Sequence, residues 1–181
     1  RHAQKALESR ADGLILVCAG AGGHAGTTNP FALVPEVRSF FDGPVILSGC
    51  ISDGRSIRAA QTLGADLAYL GTRFIATEEA NAPPLYKETI LDSGAADITY
   101  TPEFSGIPGS YLTKSIVNAG LDPADLLLPG QSANREYRSG QDKPKAWSTI
   151  WGAGQGVGTI SEVLPAVELA QRLKAEYEAA A

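Results

Sequence analysis

His24 is the side chain best placed by its setting to do acid–base chemistry. It stands in Gly20-Ala21-Gly22-Gly23-His24-Ala25-Gly26, directly after the apolar run Leu14 to Ala19. Imidazole is the side chain that gives or takes a proton near neutrality. Flanking glycines let a backbone approach a ligand closely and present peptide N–H donors. Two more clusters share this character: Ser48-Gly49-Cys50 and Gly71-Thr72. Each ends an apolar run, and their hydroxyls add donors suited to an anion such as phosphate. A third glycine run, Gly152 to Gly158, contains Gln155, which either lines the same site or belongs to a helix-start turn. His24 is therefore read as a general base, or as a donor to a substrate anion, above a bound phosphorylated cofactor.

The elements that must position these residues follow from periodicity. Residues 1–10 read as an amphipathic helix ended by Asp12-Gly13. Leu14 to Ala19, Pro44 to Ser48 and Leu67 to Leu70 read as parallel strands, the first covered on both faces. Helices are expected over 31–41 and 55–63, the second capped by Ser52 and Asp53. This βα alternation predicts an α/β fold around a parallel sheet, with ligands at the C-terminal strand ends. After residue 78 the pattern changes. Helices are expected at 83–91, 110–119 and 161–177, with a strand or extended loop at 98–101 and an exposed connection over 128–145. Trp147 and Trp151 read as packing residues, and Arg73 as structural, with the cofactor phosphate as its other possible partner.

Several chemistries are excluded. There is no nucleophilic triad and no phosphate loop of the G-x-x-x-x-G-K-[ST] type, and the glycines at 20–26 miss the dinucleotide fingerprint by one residue. Two histidines and two cysteines lack zinc spacing, so no metal site is expected. A net charge of −5 argues against nucleic acid as a partner. No apolar run approaches the roughly 20 residues of a membrane span. Cys18 and Cys50 read as buried free thiols, and the cytoplasm is the expected location.

Taken in order, Ala-Gly-Gly-His-Ala-Gly (21–26), Pro-Val-Ile-Leu-Ser-Gly-Cys-Ile-Ser-Asp-Gly (44–54), Leu-Gly-Ala-Asp-Leu-Ala-Tyr-Leu-Gly-Thr-Arg-Phe (63–74) and Gly-Ala-Gly-Gln-Gly-Val-Gly (152–158) resemble the nitronate monooxygenase (2-nitropropane dioxygenase-like) flavoproteins. The resemblance implies a TIM-like (β/α) barrel, here only its last three strand–helix units with a small inserted helical lobe. Residues 1–78 would be the C-terminal part of an FMN-binding barrel, 79–146 a mainly helical insertion, and 147–181 the return to the barrel with a closing helix. His24 would be the catalytic histidine. FMN would be held by Gly22, Gly23, Ser48, Gly49, Cys50, Tyr69, Leu70, Gly71, Thr72 and Gln155. Cys50 stands where the family has a second glycine, so a Cβ and a thiol must fit there.

The implied activity is FMN-dependent oxidation of alkyl nitronates or nitroalkanes with oxygen, on a small-molecule substrate. NAD(P)H-dependent reduction of quinones or enoyl thioesters is the alternative, and a non-catalytic barrel fragment is a third reading. The missing N-terminal half of the barrel, in the same or a separate chain, is the expected partner. A homo-oligomer is left open.

Overall fold

The structure is a computed structural model that describes residues 1–130 and 146–180. Helix α1 (His2–Glu8) precedes strand β1 (Leu14–Val17), and a two-residue strand β2 (Gly23–His24) follows. Then come α2 (Pro30–Arg38), β3 (Val45–Ser48), α3 (Gly54–Thr62), β4 (Leu67–Tyr69) and the single turn α4 (Thr72–Ile75). Next come α5 (Pro84–Leu91), β5 (Ile98–Thr101), β6 (Gly109–Leu112) and α6 (Thr113–Asn118). Helix α7 (Ala166–Ala179) closes the chain.

Strands β1, β3 and β4 form a parallel sheet in the order β1-β3-β4, with Leu14 opposite Val45 and Ile46 opposite Leu67. This is an arc of three strand–helix units and not a closed barrel. Leu14, Leu16, Val45 and Leu47 point to one face, where Val34, Val37 and Ala60 of the helices bury them. Each such side chain contributes about 2 kcal/mol of burial. The other face is open: Ile15 is 55% exposed and Leu67 62%. The expectation that β1 is covered on both faces fails for this reason. Its alternate residues, Ile15 and Val17, are left exposed.

Local chemistry fixes the helix ends. Asn29 accepts the Phe31 N–H at 2.9 Å, and Pro30 at the first position of α2 has no N–H to satisfy. Asp53 caps α3 as expected, in a reciprocal box with Ser56. Asp66, at the turn into β4, accepts from Val45 N–H and from Arg38, both at 2.7 Å. The Val45 N–H and then the Arg38 guanidinium hold its carboxyl below the usual carboxylate range. Arg38 also reaches the Gly64 and Gly43 carbonyls, so one side chain ties α2 to both strand entries.

Among the described residues of the segment 79–146, expected to be mainly helical, an antiparallel sheet stands beside the helices. Strand β6 pairs with β5 on one side and with β2 on the other. Residues 110–112 belong to that strand, and only Thr113–Asn118 is helical. All four residues of β6 are buried. Tyr111 packs with Phe104 and Ile116, while Leu112 packs with Ala76 and Ile90. Burial on both sides favours a central strand here over the helix that Leu112, Ile116 and Val117 suggest. Residues 98–101 are a strand, as one of the two readings had it. Most of the connection expected over 128–145 lies outside the described residues.

Helix α7 starts at Ala166, not at Ser161. Pro165 is its N-cap, and Glu79 accepts the Ala166 N–H at 2.8 Å from 87 residues away. Leu169 and Leu173 pack on Leu164, Ile57 and Leu70. At the crossing with α3, a Cβ on Gly54 would stand 2.2 Å from Tyr177 N. Only glycine permits that approach.

Candidate active site

The C-terminal ends of β1, β3 and β4 meet the glycine run 152–156 around a cavity of about 260 Å³. Gly22, Gly23, Ser48, Gly49, Cys50, Tyr69, Gly71 and Thr72 all line it, as the sequence suggested. The N–H groups of Gly49, Cys50, Gly71 and Thr72 have no acceptor among the described residues. Two adjacent strand ends therefore offer four peptide donors to one space. Among the described residues, no charged side chain lines the cavity. Any anion there would be held by peptide and hydroxyl dipoles alone.

The backbone is shaped for this purpose. Gly49 has φ 135° and Cys50 φ 57°, so both lie in the left-handed region. For a cysteine this costs about 1–2 kcal/mol, which is the strain expected when Cys50 replaces a glycine. Cys50 is exposed towards the cavity and does not share the burial of Cys18. The expectation of two buried thiols therefore holds for Cys18 alone. Burial pushes the Cys18 thiol up to about 11, with the nearby Cys50 adding to the effect. The Cys50 thiol is also raised by burial, against the Gly156 and Gln155 N–H groups, which lower it.

The glycine run is pressed against the first loop. A Cβ on Gly22 would stand 2.8 Å from Gly154 N, and one on Gly156 2.5 Å from Ser52 Oγ. Gln155 N–H donates to Gly20 O at 2.8 Å. Gln155 is exposed and does not line the cavity; its backbone joins the two loops instead. Leu70 is likewise absent from the lining, because its side chain packs towards Leu164 and Leu173 of the core. Thr72 Oγ1 accepts the Gly154 N–H at 2.9 Å, which leaves its own O–H to donate.

Helix α3 does not aim free donors at the cavity. Its cap is filled by Asp53 and Ser56, and Gly54 N–H donates to Glu176 Oε2 at 2.8 Å. Arg73 is buried and donates to the Ala76 and Glu162 carbonyls, so its role is structural. Desolvation lowers its pKa from the ordinary guanidinium value.

His24 stands beside this cavity, on a neighbouring groove of about 760 Å³ that runs along β1 past Ile15 and Val17. Gly23, the residue before it, lines the first cavity. Strand pairing fixes the histidine: Gly23 lies opposite Ser110 and His24 opposite Gly109. Tyr100 OH donates to Ala25 O at 2.7 Å just beyond. The imidazole meets Trp147 edge-on, with centroids 5.4 Å apart, and its Nε2 lies 2.7 Å from Ser105 Oγ. Trp147 is half exposed, lines the cavity and adopts φ 70°, so it is a wall of the site as well as a packing residue. Trp151 stacks on Tyr86 at 5.0 Å.

Sequence reasoning missed Ser105 and Tyr86. Tyr86 lines the cavity and donates to the Gly152 carbonyl. Burial pushes its phenol up to about 12, so it stays a donor at neutral pH. No metal-binding group of three or more His, Cys, Asp or Glu occurs among the described residues, and no helix there is long and apolar enough to cross a membrane.

The comparisons with known proteins agree with this geometry. A probable nitronate monooxygenase of Bacillus subtilis is 31% identical over 177 residues, covering 90% of this chain and 50% of that protein. A 5-hydroxy-7a-methyl-1-oxo-octahydro-1H-indene-4-carboxyl-CoA dehydrogenase of Rhodococcus jostii is 34% identical over 119 residues, 66% of this chain and 34% of that protein. The structure of a nitroalkane oxidase from Streptomyces ansochromogenes superposes with a TM-score of 0.72 at 27% identity, over 98% of this chain and 55% of that one. The chain thus spans about half or less of the length of the curated relatives it matches. The family model described as nitronate monooxygenase matches residues 1–176, and this chain belongs to that family of flavin enzymes.

Proposed function

We propose that this chain supplies the phosphate-binding strand ends and the catalytic histidine of an FMN-dependent enzyme that oxidises alkyl nitronates and nitroalkanes with oxygen. The single observation that carries the proposal is the convergence of four unpaired peptide N–H groups, at Gly49, Cys50, Gly71 and Thr72, on one cavity beside His24. A phosphate monoester fits that donor set, since it accepts several hydrogen bonds without needing a counter-charge from the protein. Bound flavin would supply the electron acceptor.

The chain's own residues do the rest. Ser48 and Thr72 add hydroxyl donors beside the peptide groups. Gly22 and Gly23 leave the floor free of side chains. His24 takes the α-proton of a neutral nitroalkane, or holds the oxygens of a nitronate already formed. Trp147 packs edge-on against one side of the otherwise exposed imidazole. Anaerobic mixing of the flavin-loaded protein with propionate 3-nitronate tests the reading. Loss of the oxidised flavin absorbance is expected, and an unchanged spectrum would refute nitronate as substrate.

A second reading rests on the Rhodococcus relative, whose name specifies a carboxyl-CoA dehydrogenase. Under it, flavin exchanges electrons with a pyridine nucleotide and the substrate is a thioester. Rapid bleaching by NADH or NADPH, without a response to nitronate, favours that alternative.

The open face of the parallel sheet supports a further part of the proposal. Ile15, Val17, Leu67 and Tyr69 form an exposed stripe across it, and β1 and β4 are both edge strands. Unpaired edges and an apolar face are a liability that folded proteins cover. Additional strand–helix units, in the same polypeptide or another, complete the barrel against this face.

A further inference from the structure

We infer that Ser105 is a positioning residue that fixes the tautomer of His24, so that Nδ1 is the atom that takes the substrate proton. The inference rests on the reading of His24 as a base, but its first test does not depend on activity.

Ile107 presents one obligate donor and one obligate acceptor to the Ser105 hydroxyl. Ser105 Oγ has one proton and two lone pairs. The Ile107 carbonyl, 3.0 Å from Oγ, can only accept. The Ile107 N–H, 3.4 Å from the same oxygen, can only donate. The turn thus gives the seryl proton an acceptor of its own in the Ile107 carbonyl. With the proton held there, the oxygen that faces His24 Nε2 at 2.7 Å is an acceptor, and Nε2 carries the hydrogen. Tyr111 OH, fully buried, lies 3.5 Å from Oγ, too far to compete with these contacts. Burial raises the Tyr111 phenol above its ordinary value, so it keeps its proton.

With Nε2 committed, the lone pair of the neutral imidazole lies on Nδ1, which has no hydrogen-bond partner among the described residues. The edge-on Trp147 ring and the pairing of His24 with Gly109 hold the ring plane. In the proton transfer, the α C–H bond of the nitroalkane breaks and its proton moves to Nδ1. The electron pair becomes the C=N bond of the nitronate, and the positive charge on the imidazolium faces the Ser105 oxygen. The residues Phe104-Ser105-Gly106-Ile107-Pro108 form a tight turn in which Gly106 has φ 77°, so one short segment presents both the hydroxyl and the carbonyl that orients it.

The test is the ¹⁵N spectrum of the imidazoles in the intact protein. A His24→Gln variant, which removes the His24 signals, assigns them. Neutral His24 is expected as a single Nε2–H tautomer. Ser105→Ala should give a mixture with the Nδ1–H form, and Ser105→Thr, which keeps the hydroxyl, should restore the single form. On a neutral nitroalkane, Ser105→Ala is expected to lower kcat about tenfold with KM within about twofold, and Ser105→Thr to recover it. Ser105 is exposed, so loss of fold is not the expected result of either change. An Nδ1–H tautomer in the parent protein, or an unchanged tautomer in folded Ser105→Ala, overturns the assignment. If the tautomer responds as expected while no nitroalkane is turned over, the proposed function fails and the role of Ser105 stands.

Discussion

Thr72 Oγ1 accepts the Gly154 N–H at 2.9 Å, across 82 residues of sequence. This bond joins the end of the third parallel strand to the glycine run at 152–158. It also turns the Thr72 O–H outward to the cavity. Thr72→Val should leave Gly154 N–H unpaired and remove one donor to the ligand. A loss of about 1–3 kcal/mol in flavin binding is expected, read as a tenfold or greater rise in Kd by fluorescence titration. Thr72→Ser keeps the hydroxyl and should bind within a few-fold of the parent. Equal losses in the two variants would show that the methyl group, and not the hydroxyl, matters.

His24 separates the two kinds of substrate. His24→Gln keeps hydrogen bonding but cannot act as a base near neutrality. Turnover of neutral nitroalkanes should fall by about 10²–10⁴-fold, with far smaller losses on pre-formed nitronates. Steady-state oxygen consumption with the two substrate forms measures the difference. Equal losses on both would assign the histidine to holding substrate.

The two thiols should respond differently to alkaline pH and to reagents. The Cys18 pKa rises from 9.0 to about 11 on folding, so the native state holds that proton more tightly than the unfolded chain does. The stabilisation from the neutral thiol is complete below pH 9 and is lost as pH rises towards 11, by about 2 kcal/mol in total. Urea unfolding at a series of pH values should show this slope, and Cys18→Ala should flatten it whatever its effect on stability at neutral pH. Iodoacetamide should modify exposed Cys50 well before buried Cys18, and bound flavin should protect Cys50.

The open sheet face gives a fourth expectation. Leu67 is 62% exposed in this chain. If that face stays in solvent, Leu67→Asp changes stability by no more than about 0.5 kcal/mol. If further strands cover it, the same change buries a carboxylate and should prevent assembly of the flavin-binding protein. Co-purified flavin, read from the visible spectrum, distinguishes the two outcomes.

The sequence by itself determined the parallel βα core and its ligand end. Leu14 to Val17, Val45 to Ser48 and Leu67 to Tyr69 are short apolar runs flanked by helical periodicity, and that pattern is local. The glycine clusters at the strand ends were legible because close approach and left-handed backbone leave a mark on residue type, as at Gly22 and Gly49. The burial of Leu112, read as helical spacing, became a central strand because its partners lie in β5 and β2, which no local window contains. Only the tertiary structure could bring Ser105 to His24 across 81 residues, set Thr72 on Gly154, and leave Gln155 and Leu70 outside the cavity. Hydrogen bonds of that span depend on where packing places two chain segments. Periodicity specifies which face of an element is buried, but the pairing of distant polar groups is decided by the assembled core.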